Sequence, residues 1–463
     1  MKNEEVVIVG GGAAGMMAAI FAARDGHSVT LLEKNEKLGK KLFITGKGRC
    51  NYANAGDFDA LMESLVSNSK FMYGSFRGFD SYDTIAFFEE LGLKGKIERG
   101  NRVFPVSDRS SDVIKVLENE LKRLGVKIKL NTEVTSLILE NKDSAEKTDY
   151  LTESNNIDSK YKKRRSGKKD IQTHICKGVV LGNKDKILAD KIVIATGGKS
   201  YQPTGSTGDG YRMARSAGHN IIKPKPGLSP LITAEEWPWS MQGLALKNVG
   251  ISITDLPEDG IDMIRDSAIQ KSRHKTYYSG FGEMLFTHFG VSGPLVLSAE
   301  SNIADLLEEK DLRLTVDLKP ALDERKLDDR VLREIEATPY INLKNLLRKL
   351  LPATAAVVFA DLMRIDGMKR SSDLSREERK LLVYMLKNLQ MTVVRPRGFA
   401  EAIITKGGVD VSEVNPKNME SKLTKNLYFI GELLDVDAVT GGFNLQVAWA
   451  SAHACAVHLK GEK

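Results

Sequence analysis

Gly10, Gly12 and Gly15 stand in GxGxxG spacing, and Glu33 follows 23 positions after Gly10. Those residue types at that spacing can hold a dinucleotide. Gly10 permits a tight turn. Gly12 lets a pyrophosphate approach the backbone, where a helix N-terminus beginning near Ala13 supplies amides and partial positive charge. Gly15, with Ala14, Ala18 and Ala19, lets that helix lie close to a strand. Glu33 can accept hydrogen bonds from both ribose hydroxyls of an adenosine, and its charge repels a 2′-phosphate. The motif therefore favours FAD or NAD over NADP.

A glycine triplet positions a ligand only between the right elements. Residues 6–9, Val-Val-Ile-Val, are the continuously apolar run of a strand buried on both faces. Residues 13–24 are rich in Ala and Met with no helix breaker after Gly15, and Gly26 suits a left-handed helix cap. Residues 29–32, Val-Thr-Leu-Leu, form the second strand, with Glu33 at its end. Strand, glycine turn, helix and strand fit within about thirty residues, which makes the signal specific.

Three further segments bear on the choice of FAD. Residues 36–54 follow the ribose strand and are rich in Gly, Lys and Asn. Their core, Thr45-Gly46-Lys47-Gly48-Arg49-Cys50-Asn51, can wrap a polar ligand with amides and side-chain donors. Residues 191–198 are an apolar strand ending in Ala195-Thr196-Gly197-Gly198, followed by a glycine-rich run, 205–210, that opens a helix over 211–216. That run does not follow a strand in GxGxxG spacing, so it predicts no second nucleotide site. Near the C-terminus a strand over 427–430 leads to Gly431, Glu432 and Asp435. Gly441-Gly442 then open a small-residue helix carrying Asn444, Leu445 and Gln446. A helix N-terminus aimed at a flavin can stabilise negative charge on the reduced ring, and Asn444 and Gln446 are candidates for its pyrimidine edge.

The order and spacing of VVIVGGGAAG, TGKGRCNYAN, NRVFPVSDRSSDV, ATGGKSYQPTGSTGDGY, GEMLFTHFGVSGP, GGVDVSEVNP and GELLDVDAVTGGFNLQVAWASA carry a resemblance along nearly the whole chain. The sequence resembles the YhiN/BaiN-like flavoproteins. The resemblance implies an FAD enzyme reduced by NAD(P)H that passes hydride through flavin N5 to a small-molecule acceptor. Conjugated enones, including 3-oxo bile-acid or steroid-like intermediates, and quinone-like compounds are the acceptors implied. The residues expected to contact the cofactor are Gly10, Gly12, Ala13, Ala14, Gly15, Glu33, Lys34, Lys41, Gly46, Gly48, Arg49, Cys50, Asn51, Val134, Thr196, Gly197, Gly198, Gly431, Glu432, Asp435, Gly441, Gly442, Asn444, Leu445 and Gln446. Arg49 and Lys47 are candidates to hold an anionic group near the ring. Tyr201, His288, Arg395 and Arg397 are candidates to polarise a carbonyl or donate a proton. Each has a plainer alternative: Tyr201 as a stacking or capping residue, His288 as a satisfied core histidine, Arg397 as a partner of Glu401, and Cys50 in a structural or binding rather than a redox role.

The chain length of 463 residues calls for more than one core. The expected fold is α/β: a discontinuous Rossmann-like FAD domain over 1–200 and 392–463, a β-rich, barrel-like domain over 201–321, and a helical subdomain over 322–391. Short alternating runs at 250–254 and 312–316 predict the strands. Leu343, Leu346, Leu347 and Leu350 predict a helix, and Leu381, Leu382, Met385 and Leu389 another. Three scattered cysteines and seven histidines give no disulfide framework and no metal-ligand spacing. No apolar run or leader suggests a membrane, so the cytoplasm is expected.

The net charge of +7 owes much to residues 160–169, inside a polar stretch at 141–172 that departs from the family pattern. A charge run with one interleaved aromatic predicts a solvated insertion rather than a nucleic-acid surface. No nucleic-acid partner is therefore expected. Two alternatives stand beside the NAD(P)H reductase. One is a fumarate-reductase or steroid-dehydrogenase-like flavoenzyme fed by another carrier; the other is a non-catalytic flavoprotein that binds through the basic loop.

Overall fold

The computed structural model describes residues 4–141, 172–258, 260–263 and 275–460. The lysine-rich run at 160–169 lies outside them. The chain divides into two compact units, Met1–Lys225 with Ile403–Lys463, and Pro226–Ala402.

The first unit is built on a five-stranded parallel sheet. Strand β1 (Glu5–Val9) lies between β2 (Ser28–Leu32) and the strand Lys191–Ile194; Lys127–Lys129 extends the sheet beyond β2, and Leu427–Phe429 extends it on the other side. Val6, Val7, Ile8 and Val9 are all buried, as a strand covered on both faces requires. Helix α1 (Ala13–Arg24) buries Ala14, Ala18, Ala19 and Ala22. Its small residues admit the C-terminal helix Phe443–Ala456, which packs on it and is itself buried along most of its length. Sequence reading placed α1 with both of its ends, because the glycine turn and Gly26 punctuate it.

His453 of the C-terminal helix stacks on Phe79, with ring centroids 4.7 Å apart at 22°. Burial lowers its pKa below the ordinary value of about 6.5, more than the nearby Asp83 raises it. The folded state therefore holds the neutral ring, and the unfolded chain binds the proton more readily. That contribution is complete above about pH 6.5 and is lost as the pH falls below it. Acidification from pH 7.5 to 5.5 should lower the Tm, and His453→Phe should lose less Tm over the same interval. An identical loss in both proteins would place the titration elsewhere.

The strands Val134–Asn141 and His174–Leu181 are antiparallel partners, from Val134 opposite Leu181 to Asn141 opposite His174. The polar stretch is thus the connection of a β-hairpin.

The second unit holds a closed six-stranded barrel. Its order is Leu231–Thr233, Gly290–Ser292, Thr276–Thr287, Ala245–Asp255, Leu312–Asp317 and Leu389–Pro396, and the first and last strands pair to close it. Helices Glu324–Ala337, Leu343–Leu350, Ala353–Met363 and Arg376–Lys387 follow the fifth strand. Leu346, Phe359 and Leu382 share one core with Ile253, Leu314 and Met391 of the barrel. The β-rich domain expected over 201–321 and the helical subdomain expected over 322–391 thus share one unit from Pro226 onward, while residues 201–225 belong to the first unit. The boundary of the second unit falls at Ala402 rather than 391, because the strand after the helices closes the barrel. Leu389 opens that strand instead of ending a helix. It falls in helical register with Met385, but the β-branched run Thr392-Val393-Val394 behind it favours a strand. Among the described residues no helix is long and apolar enough to cross a membrane.

Candidate functional site

A cavity of about 1350 Å³, counting its open mouth, lies in the first unit. Gly10, Gly12, Ala13 and Ala14 form one wall, Glu33 and Lys34 a second, Thr196 and Gly197 a third, with Lys41, Val134, Glu432, Asn444 and Leu445 around them. It lies where β1 and the strand Lys191–Ile194 end, the usual ligand position of a parallel sheet.

The glycine turn meets its requirements one residue at a time. Gly10 has φ 107°, and a Cβ there would lie 2.5 Å from the Ala195 carbonyl oxygen. A Cβ on Gly15 would lie 1.8 Å from the Gly10 carbonyl oxygen, so the turn and α1 are in direct contact. A Cβ on Gly12 would meet nothing within 4 Å. That position borders the cavity, and its missing side chain leaves room for a ligand. Gly12 caps α1 without a side-chain hydrogen bond, and no acid stands in the first turn. The amides there are free to bind an anion.

Glu33 is 8% exposed. Its Oε2 accepts from the Gly11 amide at 2.7 Å, and its Oε1 accepts from the Asn35 amide and side chain at 2.8 and 2.6 Å. These donors fix the carboxylate at the cavity wall. Lys34 donates to Asp209 at 2.6 Å and to Thr207 at 2.6 Å. Burial raises the Asp209 pKa, but the Lys34 and Thr207 donors outweigh it and hold the carboxyl below its ordinary range. Gly205, Ser206 and Asp209 line this same cavity, so the glycine-rich run at 205–210 serves one site with the first motif.

Lys41 donates to both Glu432 oxygens, at 2.8 and 2.7 Å, and to Ser200 at 2.7 Å. Glu432 also accepts from the Thr405 amide at 2.9 Å. The pair joins residues 391 apart in sequence and adds no net charge to the cavity.

Several expected contacts lie off the cavity wall. The Gln446 side chain is fully buried, donates to the Phe79 carbonyl at 3.1 Å and accepts from Thr84 at 2.9 Å. One helical step, about 100°, turns it inward while Leu445 faces the cavity. The Asn444 amide closes on Ala438, accepting from its N–H at 3.0 Å and donating to its carbonyl at 2.7 Å. Gln446 is thus turned away from the cavity, whereas Asn444 lines it with its amide engaged by the loop 438–444.

The loop 45–51 turns through left-handed backbone at Gly46, Lys47, Gly48 and Cys50. It reaches the start of the C-terminal helix, where a Cβ on Gly442 would lie 3.2 Å from Asn51 Oδ1. Asn54 donates to the Gly441 carbonyl at 2.9 Å, and Trp449 donates to the Tyr52 carbonyl at 2.9 Å. Asn51 Oδ1 and Thr196 Oγ1 are buried polar atoms without a protein partner. Such atoms are costly to leave unpaired, and a polar ligand would satisfy them. Gly198 approaches Thr405, the Gly431 amide donates to Ser451, and Asp435 accepts from Asn68 at 2.9 Å.

The candidate catalytic residues are spread over both units. Arg49 donates to Asp108 at 2.8 Å and Glu98 at 3.2 Å and lies over the Phe104 ring. Its charge is met by two carboxylates, both of which Lys96 also pairs. Cys50 is fully buried, and burial pushes its thiol far above the ordinary range, so no thiolate is available for redox chemistry. Tyr201 adopts left-handed backbone and its carbonyl accepts from Thr204. His288, Arg395 and Arg397 belong to the second unit; His288 is exposed rather than in a core, and Arg397 pairs with Glu401 at 2.8 Å. Sequence reading missed Asn35, Asp209 and Thr405. Asn35 beside the ribose acid and Asp209 in a helix first turn were detectable by position, whereas nothing local marks Thr405.

The model of the HI0933-like protein Rossmann domain matches residues 4–161 and 148–458. Over 451 residues, 96% of each chain, the sequence is 30% identical to 3-dehydro-bile acid delta(4,6)-reductase of Clostridium scindens. It is 28% identical over 455 residues to ribosomal RNA dihydrouridine synthase of Haemophilus influenzae, covering 98% of each chain. The protein of that name from Escherichia coli is 27% identical over 459 residues, covering 99% of this chain and 98% of its own. Matched over nearly its whole length, with the glycine turn open on its ligand side and the ribose acid held in place, this chain belongs to the HI0933-like family of Rossmann-type flavoproteins.

Proposed function

We propose that the protein is an FAD-dependent reductase that takes hydride from NAD(P)H and adds it to a carbon–carbon double bond conjugated to a carbonyl in a small molecule. The observation that carries the cofactor assignment is the unblocked helix N-terminus at Gly12 facing Glu33 across one cavity. The α1 amides would hold the pyrophosphate and Glu33 the adenosine ribose; Asn51 and Thr196 offer unpaired polar atoms to the remainder. FAD bound there would supply a ring that accepts hydride from one partner and yields it to another. The chain's own contribution is binding, orientation and a site whose Lys41–Glu432 pair is internally neutralised. The parallel sheet holds one glycine turn, so the nicotinamide is expected to dock transiently at the flavin rather than in a fold of its own.

A second reading places the double bond in a uracil of ribosomal RNA. Two of the three relatives carry that activity in their names, and a net charge of +7 suits a polyanion. Both readings share one chemistry, since the C5–C6 bond of uracil and an enone double bond are each conjugated to a carbonyl.

Anaerobic mixing of the purified yellow protein with NADH, and separately with NADPH, tests the donor. One of them should bleach the flavin absorbance, and a 3-oxo-4-ene steroid acid should restore it. Restoration only by uracil-containing rRNA, with dihydrouridine detected by mass spectrometry, would transfer the assignment to RNA. Failure of both nicotinamides, with rapid reoxidation of dithionite-reduced protein by the enone, would establish another electron carrier.

A further inference from the structure

The barrel end in the second unit sets Arg397 and the His288 ring against the ring of Phe289. Thr287 pairs with Gly290, so His288 and Phe289 form the turn between them. Ile232 pairs with Gly290 on one side and with Arg395 on the other, so the strand end at Arg395 and Pro396 lies one strand away from that turn at the same end of the barrel. The Arg397 guanidinium carbon lies 4.3 Å from the Phe289 ring centroid, and the His288 ring lies 4.9 Å from it at 80°.

The backbone here is anchored from below. The Arg397 amide donates to Ser229 Oγ at 3.1 Å and to the Pro230 carbonyl at 3.0 Å, and the Ser229 amide donates to the fully buried Glu300 at 3.1 Å. The side chains are far less constrained. Arg395, Arg397 and His288 are exposed, and neither Arg395 nor His288 has a hydrogen-bond or ion-pair partner among the described residues. Among the described residues Glu401 pairs with Arg397, and no acid is paired to the Arg395 side chain. An exposed i,i+4 pair contributes little to stability, and the fold alone does not account for a fixed backbone presenting Arg395 without a partner among the described residues.

We propose that this barrel end recognises an anionic oxygen group, carboxylate or phosphate. Arg395 and Arg397 provide the charge and donor fork, and the Phe289 ring provides a flat apolar contact beside it. A carboxylate and a phosphate both satisfy this chemistry, and neither depends on the reductase reading.

Calorimetric titration of the full-length, FAD-loaded protein separates the two. The probes are a 3-oxo-4-ene bile acid, its neutral methyl ester, a short uridine-rich RNA and free uridine. The Arg395→Gln/Arg397→Gln double variant should bind one anionic probe at least about tenfold more weakly than the wild type, with the neutral probes unchanged. Weakening confined to the bile acid identifies a carboxylate as the ligand, and weakening confined to RNA identifies a phosphate. Arg395→Glu should weaken binding further, and a matching Tm would show that the fold is intact. Equal affinity in variant and wild type, or no binding of either anion by the wild type, would overturn the proposal.

Discussion

Gly12→Ala should fold like the wild type and purify without its flavin. In the structure a Cβ at Gly12 meets no protein atom within 4 Å, so the apoprotein has no reason to unfold. The added methyl would occupy the space through which a pyrophosphate approaches the α1 amides. Loss of those charge-assisted hydrogen bonds is expected to remove about 3 kcal/mol, a weakening of FAD binding of roughly 100-fold. The contrast is Gly15→Ala. There the Cβ would lie 1.8 Å from the Gly10 carbonyl oxygen, so α1 must shift away from the turn. Overpacking of this kind costs about 3 kcal/mol or more and should lower the apoprotein Tm. Thermal unfolding of the two apoproteins, beside FAD titration, reads the difference. An unfolded Gly12→Ala protein would mean the position supports the fold; full retention of FAD would mean the cofactor does not lie across this turn.

The second large effect is expected far along the chain, at Gly442→Ala. Gly442 has φ 100°, which costs an L-residue about 1–2 kcal/mol. A Cβ there would also lie 2.5 Å from the Ala53 carbonyl oxygen, and neither backbone can yield without separating the loop 51–54 from the C-terminal helix. Together these should destabilise the protein by about 3 kcal/mol or more and displace Asn51 from the helix start. Gly441→Ala is the control. Its Cβ would press at 2.8 Å on the edge of the Phe443 ring, a side chain that can rotate, so its loss should be smaller. Equal Tm losses in the two variants would show that backbone conformation alone, and not the contact with Ala53, sets the requirement.

The parts of the molecule that could be read in the sequence are those written in local code. Residues 5–33 carry strand, turn, helix and strand within one window, and each is where the pattern put it. The leucines at 343–350 also formed their helix and are buried. What could not be read depends on partners distant in sequence. No local feature says that the strand Leu389–Pro396 returns to pair with Leu231–Thr233, so the boundary expected between 391 and 392 cuts through the barrel's closing strand. Gln446 illustrates the same limit at the scale of one side chain. Its place at a helix start next to two glycines suggested a ligand contact, but Thr84 and Phe79, more than 360 positions earlier, determine its direction. Lys41 and Glu432 were each placed at the site from their own surroundings, while their pairing could not be inferred.

The hairpin at Asn141 and His174 has a consequence for how this chain can change. Because these residues face each other across the ladder, whatever joins them leaves and re-enters the fold at one point. Closing a connection between ends already held together grows only logarithmically with its length, by about 0.6 kcal/mol per doubling. The fold is therefore nearly indifferent to how many residues are threaded there. Lineages can lengthen, trim or recharge this connection with little effect on the sheet, and the position is a natural splice point for a reporter domain or an affinity handle.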